Sequence, residues 1–112
     1  MKTTFKTYNF SQDNILKNIV NQIVDIADPD KIILFGSRAI GKHKEDSDYD
    51  ICVLKKNIRN DRKLVRKIRL HLDVFAPIDI VTSTPEKFEK LKAKWFYIYH
   101  DIHKFGKIIY ER

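Results

Sequence analysis

The chain has 112 residues, 43% of them hydrophobic, with seven Phe, five Tyr and one Trp, enough to build the core of one folded domain and too much for a disordered tail. Its net charge is +7, and the excess has one address: residues 55–71 hold eight Lys and Arg against Asp61 alone, while the rest of the chain balances at 14 basic and 14 acidic residues. The single cysteine, Cys52, excludes an intrachain disulfide, and the longest uncharged run, seven residues at 18–24, excludes a membrane-spanning helix.

In chain order, the first residues lack the apolar core of a signal peptide, so the expectation is one cytoplasmic domain over residues 1–112. Residues 11–27 read as a helix. Its apolar positions, Leu16, Ile19, Val20, Ile23 and Val24 among them, repeat with a helical period, Ser11 is a candidate N-cap, and Asp28-Pro29 stops the run. Lys31–Phe35 is an apolar strand leaving sharply through Gly36-Ser37, and residues 47–54 form a second strand. Residues 60–72 are an amphipathic helix, with Leu64, Val65, Ile68 and Leu72 inward and the basic residues outward. Residues 74–81 are a third strand, where Pro77 argues for a place at an edge or bulge. Thr84-Pro85 then opens a helix whose face carries Phe88, Leu91, Trp95, Ile98 and Ile102, with Gly106 after its end and a short last strand at 107–110. This order predicts an α/β (α+β) domain: a small mixed sheet with helices packed on it.

The chemistry concentrates in residues 36–50, GSRAIGKHKEDSDYD. Side chains two apart on a strand share a face, so Asp48 and Asp50 stand side by side, with Cβ atoms about 5–7 Å apart. Their like charges repel unless a cation intervenes, and hard carboxylate oxygens beside phosphate suit Mg²⁺. Asp79 is out of character between Ile78 and Ile80: it is at the sheet's exposed end, paired with a base, or a metal ligand, and three carboxylates converging from two adjacent strands would make a two-metal cluster. Gly36 permits close backbone approach to a phosphate, and Ser37 offers its hydroxyl and N–H at an expected helix start, where the dipole favours an anion.

Together Gly36, Ser37, ten intervening residues, Asp48 and Asp50 form G-S-x10-D-x-D, with Gly41 and Ser47 in step. The stretch resembles the DNA polymerase beta-type nucleotidyltransferase superfamily, and within it the minimal nucleotidyltransferase (MNT) domain. The resemblance implies that Gly36, Ser37, Arg38, Gly41 and Ser47 bind the nucleotide. It implies that Asp48, Asp50 and Asp79 are catalytic and hold two Mg²⁺ ions, with ATP as substrate. One departure is Ile40, where relatives often carry Arg (GSRARG).

The resemblance further implies an antitoxin. MNT domains of this type transfer AMP from ATP to a tyrosine of a HEPN-domain ribonuclease toxin, so the expected partner is a HEPN toxin in a type VII-like pair, forming a hetero-oligomer with it. A chain this short is also expected to take its acceptor from a partner. The rivals are an antitoxin that acts by binding alone and a basic nucleic-acid-binding module. The basic segment 55–71 has no aromatic residue to stack bases, so it is read as a docking surface for an acidic protein.

Overall fold

A computed structural model describes residues 13–112. The expected cap Ser11 lies outside the described residues. Helix α1 (Asn14–Ala27) is capped by Asp13, whose carboxylate accepts the Leu16 N–H at 3.0 Å. It ends at Asp28, in the left-handed region at φ 48°, and buries Leu16, Ile19, Val20, Ile23 and Ala27.

Four strands form one mixed sheet in the order β3-β2-β1-β4. Strand β1 (Lys31–Phe35) pairs antiparallel with β2 (Tyr49–Leu54) on one side and with β4 (Lys107–Glu111) on the other. Strand β3 (Ile78–Ser83) lies parallel to β2, reached through the crossover helix α2 (Asp61–His71). Helices cover both faces. On one, α1 and α2 pack Leu16, Ile19, Ile23 and Ile68 against Ile32, Leu34, Tyr49, Ile51, Val53 and Ile109. On the other, α3 (Pro85–Leu91) and α4 (Ile98–Phe105) bring Phe88, Tyr99 and Ile102 onto Ile33, Cys52 and Leu54. Strand β2 is therefore apolar on both faces beyond Asp50, as a central strand must be. Among the described residues, no helix is long and apolar enough to cross a membrane.

The structure moves several expected boundaries. The second strand starts at Tyr49 rather than Ser47. The third begins at Ile78, leaving Val74–Pro77 outside, since proline cannot donate to a ladder; its place at the sheet edge is as expected. The long helix after Thr84 is two helices, broken by successive tight turns in which Lys94, Tyr97 and His100 donate to Leu91, Lys94 and Tyr97. The aromatic run Trp95-Phe96-Tyr97 favours the break, because aromatic side chains lose rotamer freedom in a helix. Re-phasing brings Tyr99 inward, edge-on to Phe88 at 5.9 Å. Trp95 and Ile98, expected in the core, are 78% and 48% exposed. Gly106 follows α4 as expected, but at φ −73°. Glycine serves there because a Cβ would stand 2.7 Å from Ile33 Cγ2.

Candidate active site

Strand pairing builds the site. Phe35 pairs with Asp50, and Asp50 with Asp79, so one row crosses the sheet from β1 through β2 to β3. Asp50 and Asp79 occupy equivalent positions on parallel neighbours and share the α3/α4 face. Asp48 precedes β2 by one residue; it and Asp79 are exposed, while Asp50 is half-buried. The odd-numbered neighbours Tyr49 and Ile51 face the opposite side and pack into the core against α1 and α2, which sets the carboxylates' orientation.

The electrostatics follow. Asp50 holds its proton above the ordinary carboxyl range, first because burial disfavours its charge, then because Asp79 and Asp48 repel it. A hydrogen bond to the Asp79 carboxylate reinforces the effect. Among the described residues, no three His, Cys, Asp or Glu side chains already surround a common metal position. The donor set still suits a hard divalent cation: three all-oxygen ligands on one end of a sheet, whose mutual repulsion such a charge relieves.

Gly36 is needed on two counts. Its φ is +74°, and a Cβ there would be driven into the Asp50 carboxyl, 2.9 Å from its Cγ. The glycine-serine turn and the carboxylate strand thus meet in one contact. Beyond Gly36 the chain does not start a helix, contrary to expectation. Residues 37–41 are turns, with Ala39 donating to Gly36 at 3.1 Å and Lys42 to Ser37 at 3.0 Å. No helix dipole acts at Ser37, and any phosphate there meets the turn's own N–H groups and hydroxyl.

Arg38 turns inward and is only 9% exposed. Its guanidinium donates to the carbonyls of Glu45 (2.9 Å) and Ser47 (3.0 and 3.1 Å), and lies 3.9 Å over the Tyr49 ring. The Ser47 hydroxyl accepts the Lys44 N–H at 2.8 Å, closing the same loop. Gly41, also at φ +74°, faces open space. The structure therefore brings Gly36, Asp48, Asp50 and Asp79 to one end of the sheet, while Arg38 and Ser47 brace the loop that leads into Asp48.

Two residues escaped sequence reasoning. The Tyr49 hydroxyl donates to the Asp13 carboxylate, with both oxygens at 3.1 Å, tying the carboxylate strand to the α1 cap. The available signal was a polar-tipped residue at an inward position of a buried strand. Asp13, three before Leu16, had the spacing of an N-cap.

The family described as Polymerase beta, Nucleotidyltransferase matches residues 14–112. Three solved structures share the fold. One, a toxin-antitoxin with AMP-PNP, is 22% identical, with a TM-score of 0.53, covering 88% of this chain and 74% of that one. A Sulfolobus solfataricus protein described as a candidate nucleotidyltransferase is 20% identical, with a TM-score of 0.59 and coverage of 88% and 78%. A mutant of the toxin-antitoxin MntA-HpeT is 22% identical, with a TM-score of 0.56 and coverage of 88% and 74%. No curated protein matches the chain by sequence.

Proposed function

Because the chain belongs to the polymerase beta nucleotidyltransferase family and is a nucleotidyltransferase, we propose that it transfers AMP from Mg-ATP to a tyrosine of a HEPN-type toxin, and so acts as that toxin's antitoxin. The observation that carries the reading is the Phe35–Asp50–Asp79 row, which sets two carboxylates side by side next to the Gly36 turn, with the third, Asp48, one residue before β2. The toxin and the nucleotide are supported by the shared fold of a toxin-antitoxin solved with AMP-PNP.

Asp48, Asp50 and Asp79 are the residues that would hold Mg²⁺, which when bound would supply charge to offset the triphosphate and to acidify an attacking hydroxyl. The Gly36-Ser37 turn offers its N–H groups and the Ser37 hydroxyl to the phosphates. Arg38 and Ser47 keep the loop in place rather than touching phosphate. Asp79, on the outermost strand, faces the acceptor and takes its proton at a carboxylate oxygen. The tyrosine oxygen forms the new bond to the α-phosphorus, and pyrophosphate leaves with the electrons of the broken P–O bond. Catalysis is then mainly positioning and charge stabilisation.

The test is to incubate the protein, its co-expressed toxin, Mg²⁺ and ATP labelled at the α-phosphate, then measure the intact mass of the toxin. A gain of one or more AMP groups on tyrosine is expected. An unmodified toxin, under conditions where the nucleotide binds, overturns the reading. Neutralisation that survives in Asp48→Asn without any transfer assigns the protein to the class that inhibits by binding.

A further inference from the structure

We infer that the outer face of α2 is a docking groove for an acidic amphipathic helix of a protein partner. Residues Asp61, Arg62, Val65, Arg66, Arg69 and Leu70 line a shallow furrow of about 570 Å³. They form two adjacent rows at four-residue spacing, 61-65-69 and 62-66-70. Such rows are the ridges of a helix, and the furrow between them is the shape that accepts a ridge of a second helix.

The chemistry of the furrow is mixed, and this selects the occupant. Val65 and Leu70 supply its apolar lining, and Leu70 is left 73% exposed although Ile68 of the same helix is fully buried. Arg62, Arg66 and Arg69 supply its basic lining. Among the described residues, no Asp or Glu forms a salt bridge with any of them. Arg69 is held in place, donating to the Ile78 carbonyl at 3.2 Å, and the Asp61 carboxylate is turned toward β3, accepting the Thr82 hydroxyl at 2.8 Å.

Helix α2 carries five Lys and Arg against Asp61 alone, so the complement is acidic. Arginine around exposed aliphatic surface is the composition of protein interfaces. A nucleic acid is the poorer match: no aromatic residue lies in 55–71, Val65 and Leu70 make part of the lining apolar, and Asp61 sits at one end of the furrow. The inference stands on α2 alone and does not depend on the transfer reaction.

The test is a selection of displayed random peptides, about four helical turns long, on the full chain. Enrichment of Asp or Glu flanking Leu, Ile or Phe at three- and four-residue spacing is expected. The best peptide should lose at least about tenfold in affinity on Arg66→Glu and separately on Leu70→Ser. Both positions are exposed, so unchanged melting temperatures show that the variants fold. Absent enrichment, enrichment without acidic residues, or affinity indifferent to both variants overturns the inference. So does equal binding by polyglutamate of the same length, which would make the surface one of charge only. Tighter binding of a single-stranded oligonucleotide through Arg62 and Arg66 would assign the surface to nucleic acid instead.

Discussion

Asp50 and Asp79 stand opposite one another in register across the parallel β2–β3 pair, and a hydrogen bond joins their carboxyls. Two acids hold such a contact only if one keeps its proton, and Asp50, the more buried, is the one whose affinity for it is raised. The same closeness costs the fold charge repulsion that a divalent cation would relieve.

Asp50→Asn and Asp48→Asn should each abolish transfer, with a loss on the order of 10²–10³-fold or more, as expected for groups that hold charge at a reacting phosphate. Neither should lower the melting temperature, because each removes like charge. Measured together, transfer rate and thermal melting separate a metal ligand from a structural residue; wild-type activity in either variant would end the assignment.

Asp50 also predicts a pH dependence of stability in buffer containing chelator. Its folded pKa lies above the unfolded value, so the folded state binds the proton more tightly, and its contribution to stability is complete below the ordinary carboxyl value of 3.8. That contribution is lost as pH rises through the raised value. Urea melts of wild type and Asp50→Asn across this window should diverge as pH rises, the variant becoming relatively more stable. Parallel curves would contradict the Asp50 shift.

Gly36 and Gly41 share φ +74° but not their surroundings. Gly41→Ala should cost only the backbone term, about 1–2 kcal/mol. Gly36→Ala bears the same strain and also displaces the Asp50 carboxyl, so it should destabilise more and weaken Mg²⁺-dependent nucleotide binding. Denaturation midpoints and calorimetric titration of both variants check the contrast, which equal behaviour would refute.

Arg38→Met keeps the bulk and removes the hydrogen bonds to the 44–47 loop. It should cost about 2–3 kcal/mol, the worth of hydrogen bonds from a charged donor, and speed tryptic cleavage at Lys42 and Lys44. If the nucleotide were instead its partner, binding would fall while protease resistance stayed unchanged.

Helix α3 ends before the aromatic run, so Phe88 within it and Trp95 beyond it differ in energy. Phe88→Ala should destabilise by about 3–5 kcal/mol, as core aromatic deletions do. Trp95→Ser should stay within about 0.5 kcal/mol, as an exposed substitution does. Chemical denaturation of the pair would expose an error if Trp95 proved costly.

What the sequence determined by itself was what depends on short-range periodicity and stereochemistry. Asp48 and Asp50 act on one another because they are two residues apart, although Asp48 stands one residue before β2. Gly36 ends β1 sharply, Asp28-Pro29 stops α1, and Thr84-Pro85 starts α3 for equally local reasons. The +7 excess in residues 55–71, most of it on α2, was likewise countable in advance. The tertiary structure alone decided which distant residues meet. Asp79 reaches Asp50 because the α2 crossover sets the β2–β3 register. The Asp50 carboxyl sits where a Gly36 Cβ would be because β1 and β2 pair antiparallel at that row. Arg38 points inward over the Tyr49 ring, and Tyr99 rather than Trp95 or Ile98 packs on Phe88, because these partners lie in other elements of the fold. Periodicity is written in neighbouring residues; register and burial come from the packing of elements that a chain pattern lists but does not place.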